Sequence, residues 1–118
     1  MAIMSLKQFR RSVREAVETV PGELMERLNG GIIVETPIKE EGGYLIMGEY
    51  IEDPGLGNII ILYYGSFREA MGGAPLEEWE EEILETVTHE LRHHIESLAG
   101  VDDLSIEEEH LLQEDDRP

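Results

Sequence analysis

Residues 75–100 read Pro75-Leu76-Glu77-Glu78-Trp79-Glu80-Glu81-Glu82-Ile83-Leu84-Glu85-Thr86-Val87-Thr88-His89-Glu90-Leu91-Arg92-His93-His94-Ile95-Glu96-Ser97-Leu98-Ala99-Gly100. Apolar residues recur at Leu76, Trp79, Ile83, Val87, Leu91 and Leu98, the spacing of one face of an α-helix. Pro75 suits the first turn, and Glu77 and Glu78 complement its positive end. Gly100 is the expected terminator. On a helical wheel with Ile83 at zero, the stripe centres at about 50°. His89 and His93 fall at about 240° and 280°, away from the core, and Glu90 falls at about 340°, on the border.

The rest of the chain supplies what this helix packs on. Ser5 and Gln8 form a capping box before Leu6, Phe9, Val13, Ala16, Val17 and Val20, which recur at helical spacing up to Pro21-Gly22. A short second helix follows, with Leu24, Met25 and Leu28 inward, ending at Asn29-Gly30-Gly31. Ile32 to Thr36 is an expected strand closed by Pro37, and Tyr44 to Ile51 is a second. After the turn residues Pro54 to Asn58, the run from Asn58 to Tyr64 is the strongest strand, apolar enough to be buried on both faces. A last short helix is expected after Ser105, with a frayed tail beyond Gln113. No repeat or long linker divides the 118 residues, so residues 1–118 read as one domain of α+β class, a small sheet against the long helix with helices at the N-terminus.

Composition narrows the chemistry. There is no cysteine, so a metal would have to be held by His, Asp or Glu. The net charge is −18, and 16 Asp and Glu lie between Pro75 and the C-terminus against Arg92 and Arg117. Such a field repels a phosphate backbone and argues against a nucleic-acid partner. It also draws metal ions and basic peptides, although its commonest role is a solvated surface. Lys7, Arg10, Arg11 and Arg14 share one face of the first helix, expected to face water or carboxylates. No signal-peptide core or membrane-length apolar run is present, which reads as a cytoplasmic protein without a membrane partner. No feature indicates an oligomeric state.

His89-Glu90-Leu91-Arg92-His93 is an H-E-x-x-H motif. Histidines four apart on a helix can share a zinc ion, and the Glu beside the first can take a proton from water that the metal has acidified. The bland alternative is a surface helix that happens to carry two histidines. Three of the chain's four His within six residues, with Glu in the required place, weigh against it. His94 falls at about 20°, on the apolar side, and reads as a packed histidine rather than a ligand. His110 reads as surface. For a third ligand there are two candidates: Glu96, on the His face three residues after His93, and Asp103, three residues past Gly100. Glu96 leans back toward the metal because helical side chains tilt N-terminally. Asp103 competes with ordinary turn and cap chemistry. Tyr44, Tyr50, Tyr63 and Tyr64 could each donate to an oxyanion, although strand tyrosines are more often packed.

Taken together, Val20-Pro21-Gly22-Glu23-Leu24, Ile59-Ile60-Ile61-Leu62-Tyr63, and Thr86-Val87-Thr88-His89-Glu90 running into His93-His94 make the chain similar to the small bacterial zincin-like metallopeptidases, or minimal zincins. The resemblance implies an α+β fold with a small sheet against the H-E-x-x-H helix, zinc as cofactor, and hydrolysis of peptide or protein substrates with Glu90 as general base. The family pattern places Gly three residues after the second ligand His and Asp three further on. This chain has Glu96 and Ala99 there, with Gly100 and Asp103 four residues later, as though one helical turn were inserted. A non-catalytic metal-binding or adaptor domain that keeps the zincin fold is the alternative.

Overall fold

A computed structural model describes residues 3–102. The element order is α1 (Leu6–Glu18), α2 (Gly22–Glu26), β1 (Gly31–Glu35), β2 (Glu40–Glu41), β3 (Tyr44–Leu45), β4 (Gly48–Asp53), β5 (Gly57–Tyr63), α3 (Tyr64–Met71) and α4 (Leu76–Asp102). The class is α+β: N-terminal helices, a small mixed sheet and a long C-terminal helix. Asp103, His110, the helix expected after Ser105 and the tail lie outside the described residues.

Local chemistry explains the ends of α1. Ser5 accepts from the Gln8 N–H, and Gln8 reaches back to the Ser5 N–H at 2.9 Å, so the expected capping box is present. Phe9, Val13 and Ala16 are buried, while Lys7, Arg10, Arg11 and Arg14 are exposed. The sheet order is β1-β5-β4. β5 is central, parallel to β1 and antiparallel to β4. Ile60 and Leu62 are fully buried, facing a core of Phe9, Phe67, Trp79, Ile83 and Val87. α4 therefore does what its stripe requires: Trp79, Ile83, Val87 and Leu91 are buried, and the helix packs along β4 and β5.

Three expectations need correction. Tyr44 to Ile51 is not one strand. Tyr44 and Leu45 pair with Glu40 and Glu41 as a hairpin, and the sheet strand begins at Gly48. The hairpin places Gly42 and Gly43 at positive φ, which other residues rarely adopt. Gly100 does not end the long helix, which continues to Asp102. A single glycine costs a helix about 1 kcal/mol relative to alanine, which neighbouring turns can absorb. Finally, α3 was not expected. Phe67 anchors it, buried, with its ring 4.9 Å from that of Phe9.

Gly48 sets how closely β4 approaches α4. A Cβ there would lie 2.8 Å from Thr86 Cγ2 and 3.2 Å from the Ile61 carbonyl oxygen. Gly48→Ala is expected to push the strand from the helix and cost about 1–3 kcal/mol, the usual range for overpacking. Urea unfolding measures it, and an unchanged midpoint would show that the gap is not set here.

Candidate metal and catalytic site

The Nε2 atoms of His89 and His93 lie 3.3 Å apart, with the ring planes at 90°. Both rings are on the exposed face of α4, as the wheel requires. Two nitrogens bound to zinc at 2.0–2.1 Å with a tetrahedral angle between them are separated by about 3.3–3.4 Å. The pair thus has the spacing of two zinc ligands. The same spacing lets one ring N–H donate to the other when no metal bridges them. Among the described residues, no set of three His, Asp or Glu side chains is grouped as a metal site.

Glu96 meets the pair at the other ring nitrogen of His93. Its Oε1 lies 3.7 Å from Nδ1 of His93, whereas it is Nε2 that faces His89.

Glu90 is buried on the border between the His face and the core. Burial pushes its carboxyl above the ordinary value, the neighbouring His89 and His93 pull it down, and Glu49 pushes it up. A carboxyl with a raised folded pKa binds its proton more tightly in the folded state. Its stabilising contribution is complete below the unfolded value near 4.5 and is lost as pH rises through the folded value. At neutral pH the ionised Glu90 is therefore a cost to the metal-free fold. Glu90→Gln is expected to be more stable than wild type at pH 7 in chelator, with the gap closing as pH falls through the folded value of Glu90 and constant below 4.5. Equal stability at pH 7 in urea titrations would contradict this.

Two hollows meet at this residue. One, about 700 Å³, runs between Leu45–Gly48 and Leu84, Thr88 and His89. The other, about 860 Å³, lies between Glu49–Glu52 and His93, Glu96 and Ser97. Ile46, Gly48 and Glu90 line both, so the hollows form one cleft along β4 and α4 with Glu90 at its middle.

Several residues of the cleft were not singled out in the sequence. Lys39 Nζ donates to Glu49 Oε1 at 3.0 Å, and the Tyr63 hydroxyl donates to the same oxygen at 2.8 Å. The bond to Glu49 raises the Lys39 pKa. The Lys39 main chain is held by the fully buried Ser66, whose Oγ accepts from its N–H and donates to its carbonyl. His94 is fully buried, as its wheel position requires, and its Nδ1 lies 2.9 Å from the Tyr50 hydroxyl.

The zincin-like metallopeptidase family matches residues 38–112, and the chain belongs to that family. The solved structure of a conserved hypothetical protein, TTHA0227, from Thermo thermophilus is similar, with a TM-score of 0.73 and 38% identity, over 83% of this chain and 100% of that one. No curated protein matches the chain. No helix of the described residues is long and apolar enough to cross a membrane.

Proposed function

We propose that the protein is a zinc-dependent peptidase, and the 3.3 Å Nε2 spacing of His89 and His93 is the observation that carries the reading. These two nitrogens would hold the metal. Zinc, when bound, supplies the Lewis acidity that makes water a nucleophile near neutral pH. Glu90, buried beside the pair, accepts the proton that water gives up and returns it to the leaving amine. Its raised pKa brings it nearer the working pH, where a group can both take and give a proton. Of the two carboxylates read as a third ligand, Glu96 is placed to steady His93 through Nδ1. A carboxylate there fixes a ligating ring and raises its basicity. Asp103 remains a candidate for the open position.

The sheet supports a peptide substrate. Tyr63 N–H bonds to the Met47 carbonyl, so in the antiparallel register the main chain of residues 47, 49 and 51 turns toward β5. The main-chain groups of Gly48, Tyr50 and Glu52 alternate with them and face the free edge. An extended peptide can add to that edge by main-chain hydrogen bonds, which would carry its scissile bond past Glu90.

The test is incubation of the zinc-loaded protein with a mixed-sequence peptide library, read by mass spectrometry with and without chelator. Zinc-dependent cleavage is expected. Tight zinc binding without cleavage of any peptide would instead assign the chain to the non-catalytic metal-binding alternative.

A further inference from the structure

The sheet has two faces, and the core uses one of them. Side chains alternate along a strand, so Ile32 and Val34 of β1, Ile60 and Leu62 of β5 and Tyr50 of β4 point the same way, into the core with Phe67, Trp79 and Ile83 of the helices. The opposite face carries Ile33, Ile51, Ile59 and Ile61. Ile33 is the direct neighbour of Ile61, and Ile51 of Ile59, so the four form one patch across three strands. None of them belongs to the core cluster. Lys39 covers one end of this face: its Nζ bonds to Glu49 and lies 5.4 Å from the centre of the Tyr63 ring. Past Glu49 the isoleucines continue, and Ile33 is 36% exposed.

Water is a poor cover for such a face. Parallel strands such as β1 and β5 ordinarily have both faces packed, and a sheet that turns one face to solvent places polar residues there. Here the central positions are apolar and β-branched, and a contiguous apolar patch marks an interaction surface. Charge decides what can lie on it. β1, β4 and β5 contain no Lys or Arg, and the outward positions flanking the patch are Glu35, Glu49 and Asp53. A second copy would bring a further −18 against them. The chain's own segment 103–118 carries seven Asp and Glu against Arg117, so it is repelled in the same way, as is an anionic membrane.

We propose that this face docks a basic amphipathic helix of a partner protein, its apolar side on Ile33, Ile51 and Ile61 and its Lys or Arg residues toward Glu35 and Asp53. A helix laid there gives the parallel pair the second covering layer that it lacks within the described residues. The surface is separate from the cleft, because it is the side of the sheet turned away from α4. Of the four isoleucines only Ile51, on the edge strand, also borders the cleft. Ile33 stands two strands away from it, which makes it the position to test.

The test titrates the isotope-labelled full chain, followed by NMR, with two synthetic helices of one Leu pattern, the first with Lys and the second with Glu at its polar positions. The Leu/Lys helix is expected to bind, with the largest amide shifts at Ile33, Ile51 and Ile61. Its affinity for Ile33→Lys should fall by about 10-fold or more, since that variant loses apolar burial and gains a like charge. The Leu/Glu helix should not bind. No binding by the Leu/Lys helix, equal binding of both, shifts confined to the acidic side of α4, or unchanged affinity in Ile33→Lys overturns the proposal. A wild-type dimer in sedimentation that Ile33→Lys dissolves gives the face to a second copy and overturns it too. Contacts between the methyls of Leu111 or Leu112 and Ile33 in the free protein give it to the C-terminal segment, with the same result. Should Ile33→Lys fail to fold, Ile33→Thr keeps the β-branched shape and carries the same comparison.

Discussion

Glu90→Gln is expected to lower peptide turnover by about 10²–10⁴-fold, the usual contribution of a positioned general base, while zinc affinity stays within a few-fold. The substitution keeps the size and shape of a side chain that is buried between the His pair and the core. It removes the negative charge and, with it, the capacity to take a proton. Because the metal-free variant should be the more stable protein at neutral pH, loss of turnover could not be blamed on unfolding. Stopped assays on metal-loaded protein, beside a zinc titration of each variant, separate the outcomes. Turnover within threefold of wild type would remove Glu90 from the chemistry.

The second large effect concerns the ligands. His89→Ala and His93→Ala are each expected to weaken zinc binding by more than about 100-fold, whereas Glu96→Ala should cost about 10–100-fold, as partners of ligating histidines do. The difference follows from which nitrogen each group meets. The Nε2 atoms of the two histidines face one another, and Glu96 faces Nδ1. A Glu96→Ala loss equal to that of either histidine would make Glu96 a direct ligand. Competition titrations against a chromophoric chelator give the ranking, and all three proteins should keep wild-type circular dichroism because these side chains lie outside the core.

The helices and the face of α4 were legible because each rests on one local signal. The Ser5 and Gln8 box starts α1, and the period from Trp79 to Leu91 puts His94 inside and His89 outside. A wheel gives a face but not a ring nitrogen, so it could not tell that Glu96 meets His93 at Nδ1. The β2-β3 hairpin was hidden because Tyr44 to Ile51 is apolar enough to pass for one strand. Only Gly42 and Gly43 hinted at the turn. The α3 helix did leave a signal in Tyr64, Phe67 and Met71 at helical spacing, overshadowed by the strand before it. Lys39, Glu49 and the Tyr50–His94 bond had none, because tertiary packing alone brings those segments together.

Zinc K-edge X-ray absorption on protein loaded with one equivalent of metal tests the central claim most directly. The account predicts nitrogen at 2.0–2.1 Å with the outer-shell scattering of two imidazoles, lost in the His89→Ala/His93→Ala double variant. An all-oxygen shell, or the same spectrum from both proteins, would contradict it.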